Sequence, residues 1–471
     1  MTDSIDQVSP IIAKAHARWQ RNRDVIEGAD AVRARPEAYI DRLPGQTDEE
    51  YRYYVRQVPF WHGAAGHHDR MVGMVTRKPS SLTPDKGQLQ PIFDTITATG
   101  QTVHDLAKDV FSETVKTNFT FLLVDHPASA QGLNAANAIA MGFRPFVAAY
   151  VAESILEATP AVVRNVRKLV RVRLKDDEDT VRELVLVDGQ YQVIIHRRTG
   201  GEWLADAPVI PTMQGKPLDF IPIVMVCTEP GKFHPIKAPL DTAVLGNVDA
   251  LRVAAQYTLA RMWTSNPLLV AKMVDREKSP VCVTPGNVNY LDSPEGDLKF
   301  VEYNGASMED LKQAVDDVKE DANQASLTTG EKKSVESAES HSLRKAAEDS
   351  HRASIAHAVS RGIEEALNIV ARWVGVTEPV AFALSTDFDP TPLSSQDITV
   401  RQALVASGNM SKQTFFEMMQ RGEVFPDSLT YDEEKARIED DIADMPTAHA
   451  GLSTFPQEPV EGQEAEEPTD R

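Results

Sequence analysis

The sequence is most informative at first for what it lacks. No run of eighteen apolar residues occurs, so no segment reads as a membrane span. Cysteine is nearly absent: Cys227 and Cys282 lie far apart and show no metal spacing. They read as buried thiols of a reducing compartment rather than as a disulfide. The opening, MTDSIDQVSP, has no basic start followed by an apolar core, which argues against a secretory signal. Positive charge is scarce too: 49 Lys and Arg face 70 Asp and Glu, a net charge of −21. A protein that grips DNA by its phosphates needs a basic surface, so this balance argues against a sequence-specific DNA binder. It is compatible with a protein that DNA must pass without sticking. No G-x4-G-K-[ST] phosphate loop and no G-x-S-x-G nucleophile elbow is present. Carboxylate pairs carry no catalytic signal here, because so acidic a chain supplies them everywhere.

What is present is long and well patterned. The 471 residues allow two to four structural units, and 42% hydrophobic content is ordinary for a globular chain. Residues 1–60 read as helical, with Ile11, Ile12, Ala15 and Trp19 as apolar positions. Pro44-Gly45 breaks this helix, and Thr47 followed by Glu50 predicts a capping box for the next. Val103, Leu106, Val110 and Val115 mark a helix that runs into a buried strand over Phe119 to Val124. Phe146 to Cys227 is rich in Val and Ile in alternation, which predicts an antiparallel β-meander.

After Pro239 the spacing predicts helix again. Leu240, Val244, Val248, Leu251, Ala255, Leu259 and Met262 line one face. Pro267 stops it, and a compact β-type insert with Pro-Gly and Asp-Ser-Pro turns follows. Met308, Leu311, Val315, Val318, Ala322 and Ala325 then form a heptad-like stripe, with Glu309, Asp310, Asp316, Asp317, Glu320 and Asp321 on the other faces. The polar stretch SLTTGEKKSVESAES separates this helix from a long one, His341 to about Val374, which Gly375 ends. PVAFALSTDF is a lone strand that must pair with an earlier sheet. Short helices follow over Ser411–Arg421 and from Tyr431 to about Met445, and the acidic, Pro-rich end reads as disordered.

Two groups invite a metal reading. His62, His67 and His68 have H-x4-H-H spacing, with Asp69 as a further ligand, but no neighbouring cysteine or acidic–His motif completes a site. The bland reading is surface or satisfied polar histidines. The acidic helix after Met308 is either a divalent-cation site or a solvated face.

The order helix, β-insert, helix, polar loop, long helix resembles the centre of tailed-phage portal proteins, the portal-like family of head-to-tail connectors. Further segments resemble that family in the same order: YIDRLPGQTDEEYRYYVRQVPFWHGAAGHHDRMVGMVTRKPSSL, LLVDHP, RPFVAAYVAESILE, FIPIVMV and ESHSLRKAAEDSHRASIAHAVSRGIEEALNIVARWVG. The resemblance covers residues 15 to about 440. Each motif is short and none is catalytic, so the specificity lies in their order. Gly66-His67-His68 departs from the family's pattern.

The resemblance implies an α+β portal-type fold. Residues 1–238 would form the helical and β-rich wing, 239–265 the first stem helix, 266–305 the clip and 306–326 the second stem helix. A tunnel loop (327–340), a long, kinked wing helix (341–375), a wing strand and linker (376–393), a helical crown (394–446) and the acidic tail (447–471) would complete the chain. It implies a ring, usually of twelve copies, at one capsid vertex of the virion, assembled in the host cytoplasm. Its partners would be the terminase, head-tail adaptor proteins, the major capsid protein, the scaffold and passing double-stranded DNA. It implies no enzymatic activity, no cofactor and no membrane partner. On this reading Thr328, Thr329, Lys332 and Lys333 form a DNA-contacting loop. Glu309, Asp316, Asp317 and Glu320 line the channel and repel phosphates. Tyr290, Phe300 and Lys278 are candidates for partner docking; for the two aromatics, the core of a small insert is the competing reading. The alternatives for the whole chain are a coiled-coil scaffold-like structural protein and a metal-dependent hydrolase built on the histidines.

Overall fold

Pro10 opens helix α1 (Pro10–Glu27), where its missing N–H costs nothing. In the computed structural model, residues 4–84, 87, 89–127, 143–265, 268–275, 277, 281, 289–291, 293–301, 308–325, 338–388, 395–422, 424–426 and 429–444 are described. They divide into two units, Met1–Phe388 and Asp389–Arg471. Trp19 is fully buried; its indole N–H donates to the carbonyl of Thr117 at 3.2 Å and its ring stacks on Phe119 at 5.7 Å. Short helices α2 (Ala29–Ala34), α3 (Asp48–Gln57), α4 (Gly63–Val75) and α5 (Gln90–Phe93) follow. The capping box expected at Thr47 and Glu50 opens α3. Helix α6 (Val103–Thr117) has its own, from Thr102 and Asp105. It ends at Asn118, whose left-handed backbone (φ 54°) turns the chain directly into a strand.

That strand, β2 (Thr120–Asp125), is buried along nearly its whole length. It therefore needs a neighbour on each edge, and it lies at the centre of an antiparallel sheet between β3 (Phe146–Tyr150) and β11 (Ile223–Val226). The meander expected over Phe146 to Cys227 is thus shorter than its outer limits. Its first and last strands leave it to flank β2. Between them, β4 (Ile155–Val163), β5 (Val166–Lys175), β6 (Thr180–Val187), β7 (Gln190–Thr199) and β8 (Glu202–Ala205) pair in sequence order. A small hairpin, β9 (Thr212–Met213) with β10 (Lys216–Pro217), follows. The inner face of the meander, with Trp19, Phe119 and Phe121, forms one hydrophobic cluster; the helices and the other face of β2 form a second.

Helix α7 (Asp241–Ser265), the ribbon β12 (Leu268–Lys272) and β13 (Asp297–Val301), helix α8 (Met308–Ala325) and helix α9 (Ala338–Val374) complete the first unit's helical side. At 37 residues, α9 is about 55 Å long. It ends at Gly375 (φ 89°), where the Val376 N–H returns to the Ala371 carbonyl at 2.9 Å. The lone strand expected after it is β14 (Ala381–Ala383). It pairs with β1 (Ser81–Thr83), not with either larger sheet. Asn368 on α9 clamps the entry to β14, its side chain accepting from the Val380 N–H at 3.0 Å and donating to the Val380 carbonyl at 2.8 Å. The second unit holds α10 (Ser395–Ala406), α11 (Lys412–Arg421) and α12 (Tyr431–Asp444). Ser411 caps α11, and Phe416 packs against Phe425 and Tyr431. The architecture is mixed helix and sheet.

Candidate functional site

The candidate site is the hairpin of α7 and α8 with the ribbon between them. Gly246, near the start of α7, meets Ala322, near the end of α8, so the two helices run antiparallel. A Cβ on Gly246 would lie 2.5 Å from the Ala322 Cβ, so only glycine permits this approach. On α8, Val315 and Ala322 are buried, while Met308, Leu311 and Val318 are half-buried. This is the apolar stripe read from the sequence.

At 3.6 residues per turn, Glu309, Asp316, Asp317 and Glu320 fall on the side opposite that stripe. Glu309, Asp317 and Glu320 are exposed; Asp316 is half-buried, 4.0 Å from Lys319. The helix carries six acidic residues and two lysines, over about 27 Å. Its free face is a strip of negative charge that repels other polyanions.

Helix α7 is anchored differently. Asp241 at its first turn is almost fully buried. Its carboxylate accepts from the Asn22 side chain at 2.7 Å and from the Ala238 N–H at 3.0 Å, with Arg18 at 3.6 Å. Asn247 accepts from the Ala64 N–H of α4 at 3.1 Å, and the Tyr54 hydroxyl of α3 donates to the Ala255 carbonyl at 2.9 Å. These contacts fix the base of the hairpin to α1, α3 and α4. Sequence reasoning missed them, because Asp241 and Asn247 are polar residues that a hydropathy pattern assigns to solvent.

The ribbon is antiparallel, with Leu268 opposite Val301 and Lys272 opposite Asp297. Tyr290 is 83% exposed and Phe300 55% exposed. Among the described residues of the insert, neither ring is buried. Val270, Met273 and Val301 are exposed as well, so the ribbon displays apolar side chains to its surroundings. Lys278 and the loop residues Thr328, Thr329, Lys332 and Lys333 lie outside the described residues, as do Cys282 and the acidic end. Cys227 is buried, and burial pushes its thiol pKa up.

The three histidines do not converge. The His62 ring packs edge-on against Phe60 at 4.9 Å and beneath Gly28. His68 is held between Asp69 at 3.0 Å and the Ser112 hydroxyl of α6 at 2.9 Å. His67 is buried, and its Nδ1 has no hydrogen-bond partner among the described residues. Burial, then the nearby Arg70 and Arg352, push its pKa down to about 4. Among the described residues, no group of three His, Cys, Asp or Glu side chains is placed to hold a metal ion, and no helix is long and apolar enough to cross a membrane.

A family model described as a domain of unknown function, DUF4055, matches residues 239–374, from just before α7 to the end of α9. No curated protein matches the sequence. Among solved structures, a chain in the neck of an empty GTA particle computed with C6 symmetry is 12% identical, with a TM-score of 0.38 over 82% of this chain and 97% of that one. A chain in the virion of a native gene transfer agent particle is also 12% identical, with a TM-score of 0.36 over 82% and 98%. A chain in the neck of a native GTA particle computed with C12 symmetry is 11% identical, with a TM-score of 0.34 over 80% and 95%.

Proposed function

We propose that this chain is the repeating subunit of a phage portal: a ring at one capsid vertex through which double-stranded DNA is packaged and ejected. The observation that carries the reading is the hairpin. Two antiparallel helices close on a small β-ribbon, and a long helix packed into the body follows. The element order matches the portal resemblance read from the sequence.

The physical chemistry is consistent with such a role. Long helices set side by side around an axis provide the two complementary faces that a closed ring of identical subunits requires. The exposed side of α8 is strongly acidic, so a bore lined by it would let DNA slide rather than bind. Lys332 and Lys333 would meet phosphates transiently in the loop before α9, and salt would weaken that contact. The apolar side chains on the ribbon, with Tyr290 and Phe300, would dock the terminase during packaging and adaptor proteins afterwards. The chain would act as a conduit, without catalysis or cofactor.

Native mass spectrometry of the purified chain, with negative-stain images of the same sample, tests this. A ring of about twelve copies with a central hole is the expected result. An elongated dimer or trimer would replace the proposal with the scaffold-like coiled-coil reading.

A further inference from the structure

A groove of about 600 Å³ lies between α9, the start of β5 and the segment around β11. Its floor is apolar, with Phe220, Ile223, Met225 and Phe233 on one side and Ile369 of α9 on the other. Gly362 brings the wall of α9 down onto β11, since a Cβ there would lie 2.7 Å from Val226.

The rim has the opposite charge to the rest of the molecule. Arg167, Lys168, Lys232, Arg361 and Arg372 line it, against Asp219 and Glu365. Five bases to two acids is an inversion in a chain with 49 bases and 70 acids. Two of these cations are fixed over aromatic rings: Arg167 over Phe233 at 5.7 Å and Arg372 over Phe220 at 5.3 Å. The side chains of Lys168 and Arg361 are exposed and make no ion pair or hydrogen bond among the described residues.

The geometry points to a docking groove for an acidic peptide: an extended segment of a partner protein that sets large apolar side chains between carboxylates. The apolar floor favours a peptide over a nucleic-acid backbone, which would bring charge but nothing to bury there. Guanidinium groups at the rim match carboxylates in charge and in planar geometry. β11 is moreover the edge strand of its sheet, a place where extended segments add. The inference does not depend on ring formation.

The test is fluorescence anisotropy with a labelled peptide of about twelve residues, six of them Glu, around a central Phe and Leu, titrated with the full-length protein. The probe is expected to bind saturably and to weaken with salt. The double variant K168E/R361E should bind it about tenfold more weakly, with an unchanged circular dichroism spectrum, because both side chains are exposed. The same peptide with Gln in place of Glu should bind several-fold more weakly than the acidic one. Absence of binding, or equal binding by the double variant, overturns the proposal. Equal competition by a DNA oligonucleotide of matching charge overturns it in favour of a general polyanion surface. Self-association of the protein that disappears in the double variant overturns it in favour of a second copy as occupant.

Discussion

The two helices of the hairpin are close in space and unlike in character. α7 is buried around much of its girth: beside Val244, Val248, Leu251 and Ala255, a second line of Ala243, Asn247, Ala250, Ala254 and Thr258 is buried as well. α8 buries one stripe, and its other side is acidic and open. The contrast separates two tasks. α7 joins the hairpin to the body, and its sequence is constrained by packing on more than one side. α8 leans on α7, and its outer face is left for electrostatics.

This contrast can be broken at its strongest point. Asp241→Ala removes a buried carboxylate that ties α7 to Asn22 and the Ala238 N–H. It should cost about 3 kcal/mol in urea unfolding, because buried donors lose their acceptor. A loss under about 1 kcal/mol would mean that the base of the hairpin is held by apolar contacts alone. Gly246→Leu attacks the seam between the helices. The new side chain collides with Ala322, and a loss of about 2 kcal/mol is expected, reduced somewhat by leucine's better helix propensity. If the chain assembles as proposed, native mass spectrometry of the same variant should show fewer complete rings.

The histidines sharpen the comparison from the body's side. An unfolded imidazole titrates near 6.5, whereas His67 in the fold titrates at about 4. Between these values the unfolded chain binds more protons, so stability falls as the pH drops through that window. Burial shifts His68 and His351 in the same direction. His67→Leu should therefore flatten, without abolishing, the acid loss, by about 2–3 kcal/mol at pH 4 relative to pH 7. Unfolding curves at both pH values read this out, and an unchanged slope would exclude His67 as the source.

The smallest effect on stability is expected on the open face of α8. Glu309→Lys with Asp317→Lys should change unfolding by less than about 0.5 kcal/mol, since both residues are exposed. If the chain assembles as the proposed channel, its retention of double-stranded DNA should rise in this variant and fall again with added salt. Unchanged retention would remove that face from any channel.

Much of the hairpin was legible in the sequence because its signal is hydropathic. The stripes on α7 and α8 come from Val, Leu and Met at helical spacing, and Gly375 marks the end of α9. The second buried line of α7 was not legible, since Ala, Asn and Thr carry no such signal. The partner of β14 was missed for another reason: Ser81–Thr83 is too short to show alternation. The exchange of β3 and β11 out of the meander depends on β2 being buried on both faces, which local patterning cannot reveal. At the candidate site, the acidic face and two aromatics of the insert, Tyr290 and Phe300, were legible, but not the polar contacts that fix the hairpin's base.

The pairing of β1 with β14 also sets a timetable. Ser81 waits for Ala383, and at about 5–20 residues per second a ribosome takes about 15–60 s to make the stretch between them. Until then the N-terminal part of the body has an unpaired strand edge and lacks the long helix that covers β2 and β11. The nascent chain must either be shielded during that interval or remain loosely folded, and the two strands can pair only near the end of its synthesis.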